Sequence, residues 1–149
     1  MKSILNNWRK FIVEGEVVYS GILKIPLDPY NISVVEPLQS MLPQEAKRLD
    51  KDDLHVTLVH QSILSKFKDK LADIPLPDPP KVVLEDGVWE REDLGKKSWA
   101  IRLANQDEMR EYVETVMKLL GSNNTNPEPE RVYHVSLANL TGNPHDSVR

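Results

Sequence analysis

The pattern His-Val-hydroxyl-Leu occurs twice in this chain, as His55-Val56-Thr57-Leu58 and as His134-Val135-Ser136-Leu137. What precedes each copy is also alike. The stretch "SGILKI" at 20–25 aligns with "SWAIRL" at 98–103, pairing Lys24 with Arg102, and the run from Lys24 to His55 differs by only one residue from the run from Arg102 to His134. This order and spacing predict two strand-helix-strand units of nearly equal size, each closed by a histidine strand.

The hydrophobic period fills in the units. Residues 3–14 place Ile4, Leu5, Trp8, Phe11 and Ile12 at helical spacing before Gly15, which predicts an N-terminal helix. Residues 16–26 are β-branched and aromatic and end at Pro26, as a strand would. Over 33–41 helical spacing returns at Val34, Val35, Leu38 and Met41, with Ser33 as N-cap and Pro37 near the first turn. The first motif then reads as a strand and 63–74 as a short helix. Residues 75–80 hold four of the chain's eleven prolines and read as a linker. Beyond it, 81–93 is extended and 96–105 is its antiparallel neighbour. Residues 105–121 form the clearest helix, with Met109, Tyr112, Val113, Val116, Met117 and Leu120 on one face, acids at its start and Gly121 at its end. The expected fold class is α+β in a single bilobal domain over 1–149. Lobe one covers about 16–74 and lobe two about 81–144, related by a pseudo-twofold, with antiparallel sheets flanking a central cleft.

Several functions are disfavoured by composition. At 149 residues, 40% hydrophobic and 28% charged, the chain can bury one core of ordinary size. No apolar run approaches the roughly 18 residues of a membrane span, and the opening residues are too polar for a secretory signal, so a cytoplasmic location is expected. With no cysteine, thiolate and disulfide chemistry are excluded. A net charge of −4 speaks against a long groove for duplex nucleic acid. The four histidines show neither H-x-x-x-H nor HExxH spacing, so neither a metal nor a cofactor is expected.

Side chains alternate along a strand, so His55 and Thr57 share one face, and so do His134 and Ser136. A pseudo-twofold would bring both pairs to one cleft. Such a set suits phosphodiester chemistry. A neutral imidazole can take a proton from an attacking hydroxyl while a protonated one donates to the leaving oxygen, and the two hydroxyls can bond phosphate oxygens as charge builds there. One His-x-Thr alone would more often be structural; the matched pair is the signal.

These tetrads resemble the paired His-x-Thr/Ser-x motifs of the 2H phosphoesterase superfamily, bilobal α+β proteins that act without metal, and the resemblance covers about 17–140. "HVTLVHQSIL" and "YHVSLANLTGNPHDSV" are further similar to the phage anti-CBASS nucleases, a 2H branch that destroys the cyclic oligonucleotide signals of bacterial immunity. The resemblance implies a metal-independent phosphodiesterase that cleaves 3′–5′ bonds of cyclic di- or trinucleotides by 2′-hydroxyl attack, with His55, Thr57, His134 and Ser136 as its catalytic four. Such a protein would act in the host cytoplasm as a monomer or small homo-oligomer. In that branch residues beyond the second motif cover the substrate. Here twelve residues follow Leu137, so such a lid is expected to be short, supplied by another subunit, or missing. The alternatives are an RNA 2′,3′-cyclic or 2′–5′ oligonucleotide phosphodiesterase, and a nucleotide-sequestering binding protein.

Tyr19, Trp89 and Trp99 are candidates for stacking on a base, Trp89 foremost and Tyr19 next. Lys24 and Arg102 are candidates for holding phosphate oxygens. The odd spacing of His60 from His55 points it to the other face, and His145 falls in a tail expected to be mobile. Gly142 and Pro144 mark a turn that could line the mouth of the cleft.

Overall fold

The computed structural model describes residues 17–148, so the helix expected over 3–14 lies outside the described residues. The residues read as one strand over 16–26 form two, β1 (Val18–Tyr19) and β2 (Leu23–Pro26), paired antiparallel. Between them Gly21 takes φ +89°, a left-handed turn that a β-branched composition does not reveal. Helix α1 (Pro29–Ser40) starts earlier than expected, because Pro29, not Ser33, enters its first turn after Asp28. Pro37 therefore sits inside the helix, on its exposed side. The buried face is also different from the expected one. It consists of Asn31, Val35 and Gln39, while Val34 and Met41 are exposed. Two polar residues can take that face because each is satisfied: Asn31 Nδ2 donates to Asp28 Oδ1 (2.6 Å) and Gln39 Nε2 to the carbonyls of Leu49 (3.2 Å) and Leu137 (3.0 Å).

Strand β3 (Lys47–Arg48) and the histidine strand β4 (His55–Val59) follow. The helix expected over 63–74 is broken into α2 (Gln61–Leu64), a 3-10 turn (Ser65–Phe67) and α3 (Lys68–Asp73). The proline-rich 75–80 has no regular structure, yet it is tied down where Tyr112 Oη donates to the Pro77 carbonyl at 2.6 Å. The second half opens with the hairpin β5 (Trp89–Asp93) and β6 (Lys96–Arg102). Its two-residue turn has positive φ at both Leu94 and Gly95, the backbone that matches strand twist. Helix α4 (Gln106–Leu119) follows, burying Met109, Tyr112, Val113, Val116 and Met117 as its periodicity predicts, with Asp107 and Glu108 in its first turn. Strand β7 (His134–Asn139) then enters the middle of the molecule.

All pairings are antiparallel, and the strands form one seven-stranded sheet ordered β1-β2-β4-β7-β6-β5, with β3 also on β7. The fold is α+β, and its strands form one continuous sheet rather than two flanking a cleft. Each half contributes a two-stranded hairpin, a helix and a central strand, and the two central strands are neighbours. Val35 of α1 and Met109, Val116 and Met117 of α4 join Leu23, Ile25, Val56, Leu58, Ile101, Val135 and Leu137 in one core. Full burial of each such side chain stabilises the fold by about 1.5–3 kcal/mol. The alternate side chains of the central strands are thereby turned to the opposite face.

Candidate active site

Strands β4 and β7 pair through Val56 and Val135, the second residue of each motif. Like positions of the repeat are thus apposed, and a local twofold runs between them. Continuing the antiparallel register places His55 across from Ser136 and Thr57 across from His134. With both valines fully buried, the four polar side chains share the other face. All four line one cavity of about 530 Å³, together with Lys24, which is paired in register with Thr57.

The two imidazoles are held in the same way. His55 Nδ1 donates to the carbonyl of Asp53 (2.7 Å) and His134 Nδ1 to that of Val132 (2.9 Å), each two residues upstream in its own chain segment. Both contacts fix the Nδ1–H tautomer and leave Nε2 for proton transfer. His55 Nε2 lies 3.1 Å from Thr57 Oγ1 and accepts its hydrogen when neutral. His134 Nε2 makes no hydrogen bond with a described residue, and its ring stands edge-on to Trp89, centroids 5.8 Å apart at 84°.

Burial is the main cause that lowers both histidines below their ordinary value. For His55 the carbonyl bond and charge of Asp53 oppose this, and Lys24 adds to it. For His134 the Val132 bond opposes, while Arg91, Arg131 and His55 itself push further down. His134 thus lies in the more cationic surroundings, which favour its neutral form.

The other expected binding residues divide. Lys24 is in the cavity wall; Arg102 is not. Arg102 pairs with His134 and not with Ser136, so the register of β6 on β7 is offset by two residues from that of β2 on β4, where Lys24 meets Thr57. Its guanidinium lies over Trp89 (5.2 Å) and 3.7 Å from Glu85. Trp89 is engaged by His134, Arg91 (4.5 Å) and Arg102 and does not line the cavity. Tyr19 packs against the core, and Trp99 is buried at 2% exposure.

Sequence reasoning passed over several wall residues. His60 was expected on the opposite face by strand alternation, but β4 ends at Val59. His60 instead caps α2, accepting from the Ser62 amide, and its neighbourhood lines the cavity. His145 does not lie in a free tail. Asn139 Nδ2 donates to the Asn143 carbonyl (2.6 Å) and Ser147 Oγ (3.0 Å), and the Val148 amide donates to Ser98 Oγ (2.6 Å), so 143–148 is strapped beside the site. Pro144, His145, Ser147 and Val148 line the cavity, so the twelve residues after the second motif do reach it. Arg131, three residues before His134, is bound to Glu128 Oε2 through Nε (3.0 Å) and Nη2 (2.8 Å) and is also in the wall. The only sequence signal for it was a lone base beside two acids, Glu128 and Glu130, in a loop otherwise without charge.

Among the described residues no helix is long and apolar enough to cross a membrane, and no group of three or more His, Asp or Glu could hold a metal ion. Comparison of the chain with protein-family models, with curated proteins and with solved structures returned no match.

Proposed function

We propose that the protein is a metal-independent phosphodiesterase of the 2H type, cutting 3′–5′ bonds in cyclic di- or trinucleotide signals in the host cytoplasm and so blunting an immune response. The observation that carries this reading is the apposition of two identically tethered imidazoles, with their hydroxyls, in one cavity. A binding module would need neither the shared tautomer nor a second histidine. The net charge of −4 favours a small substrate over long RNA.

In the reaction the substrate 2′-hydroxyl attacks the adjacent phosphorus. Its proton passes to Nε2 of neutral His134, the more cationic site, as the 2′-O–P bond forms. Protonated His55 delivers its Nε2 proton to the departing 5′-oxygen as the P–O5′ bond breaks. The product carries a 2′,3′-cyclic phosphate and a 5′-hydroxyl. Water then opens the cyclic phosphate with the roles reversed, leaving a 3′-phosphate and restoring both protons. Thr57, Ser136 and Lys24 face the non-bridging oxygens, where charge accumulates.

The test is incubation in EDTA with cyclic di- and trinucleotides and with RNA bearing a 2′,3′-cyclic end, products being identified by mass. Linear products with 3′-phosphates are expected. Opening of the RNA end alone would reassign the substrate, and tight binding without any product would point to sequestration. The role assignment has its own check: a substrate with sulfur at the bridging 5′ position needs no acid, so it should rescue His55→Ala and not His134→Ala.

A further inference from the structure

A second cavity, of about 610 Å³, adjoins the first and shares Arg131, His134 and His60 with it. Its wall also contains Arg91, Glu128 and Glu130. The two arginines differ in one respect that decides what the cavity can hold. Arg131 is nearly buried, at 11% side-chain exposure, and is satisfied by Glu128. Arg91 is partly desolvated, and its guanidinium, 4.5 Å from the Trp89 ring, has neither a hydrogen bond nor an ion pair with any described residue. Its charge is nevertheless felt at His134.

A guanidinium positioned by an indole, facing a cavity and in no ion pair, with the Asp93 carboxylate acting on it only through space, is placed to receive an oxyanion. Its register explains the placement: Arg91 is two residues beyond Trp89 on β5 and shares its face, next to the catalytic face of β7. The first cavity takes the scissile phosphate between His55 and His134. A substrate leaving that cavity past His134 enters the second one, where the next charged group of a nucleotide chain is its neighbouring phosphate.

Resting on the phosphodiesterase reading above, we propose that the second cavity is a subsite for the adjacent nucleotide and that Arg91 binds its phosphate. The protein therefore selects substrates with a second phosphodiester one nucleotide from the bond being cut. Arg131, fixed by Glu128, forms the partition between the two cavities.

The probe is a cyclic diadenylate in which one bridging phosphate is replaced by a neutral methylphosphonate, compared with the unmodified ring. Wild-type protein should cut the modified ring about 10- to 100-fold less efficiently, as expected for loss of one charge-assisted bond and beyond the twofold from losing one scissile bond. Arg91→Gln should lower kcat/KM for the unmodified ring by a clearly larger factor than for the modified ring, the change common to both rings reporting its charge at His134 and the excess reporting the subsite, while Arg91→Lys should retain part of the preference. Equal cutting of both rings by wild-type protein, or equal loss on both rings in Arg91→Gln, would overturn the subsite with the reaction still standing. Failure to cut the unmodified ring and every other cyclic di- and trinucleotide would instead remove the cyclic-nucleotide reading, and the subsite with it.

Discussion

The two halves of the molecule tether their histidines in the same way and differ in electrostatics. His55 and His134 occupy equivalent strand positions and make the same Nδ1 bond to the carbonyl two residues upstream. Around them the likeness ends. His55 is coupled to Thr57 and has Asp53 and Lys24 as its charged neighbours, whereas His134 is free of Ser136 and faces Trp89, Arg91 and Arg131. A repeat supplies two similar imidazoles; residues outside the repeat separate their environments. In the proposed reaction the more cationic surroundings of His134 favour it as the base and leave the acid role to His55.

The largest test of this comparison removes each imidazole. His55→Ala and His134→Ala should each lower turnover by about 10²-fold or more with the far-UV circular dichroism unchanged. Near-normal turnover by either folded variant would remove the two-histidine mechanism.

The hydroxyls should sharpen the contrast. Under the proposed reaction, Thr57→Ala loses a phosphate contact and also the partner of His55, while Ser136→Ala loses only a phosphate contact. The former should cost about 10- to 100-fold in kcat, the latter less. Single-turnover rates of both variants measure the difference, and a larger effect at Ser136 would count against the asymmetry.

A third difference concerns how the central strands are anchored. Gln106 of α4 donates to the carbonyls of Leu103 (2.9 Å) and Tyr133 (2.7 Å) and accepts the Tyr133 amide (2.8 Å), next to His134; Gln39 of α1 reaches Leu137. Both glutamines thus hold β7. Replacing Gln106 by Leu strands partly buried backbone groups and should destabilise the protein by about 1–3 kcal/mol. A urea midpoint at fixed slope reads this directly, and an unchanged midpoint would show that the clamp contributes nothing.

The smallest expected effects are in pH. Both histidines are lowered in the folded protein, so between their folded values and the unfolded value near 6.5 the unfolded chain binds more protons. Their contribution to stability is complete above about pH 6.5 and is lost as pH falls through the folded values. Urea midpoints should fall on acidification, less so in His134→Ala. For the reaction, the kcat/KM optimum should lie on the acid side of 6.5. Removing Lys24 by Lys24→Met should raise the His55 value, and removing Arg91 should raise that of His134. Chemical shifts of each imidazole against pH would show whether the two can be moved independently.

Much of the fold could be read from pattern. The period of α4 and its acidic first turn, the hairpin partnership of β5 and β6, and the two histidine strands all follow from local side-chain preference, because each element has one face whose burial is unambiguous. Helix α1 misled because its buried face includes Asn31 and Gln39, and polar residues look solvated until their distant partners, Val82 and Leu137, are in place. The two-residue register offset that sets Arg102 opposite His134 and not Ser136 is equally silent in sequence.

For the candidate site the division is sharper. The paired tetrads by themselves determined that one imidazole and one hydroxyl would share a face in each of the two strands, since alternation is a local property of extended backbone. Only the tertiary structure decided that the two faces are one, through the pairing of Val56 with Val135, and that Arg131, Arg91, His60 and residues 144–148 surround them. Apart from Arg91, which lies mid-strand in β5, those residues come from loops and short turns, where no period governs direction. Their positions are set by which segments pack together, and that depends on the whole chain at once.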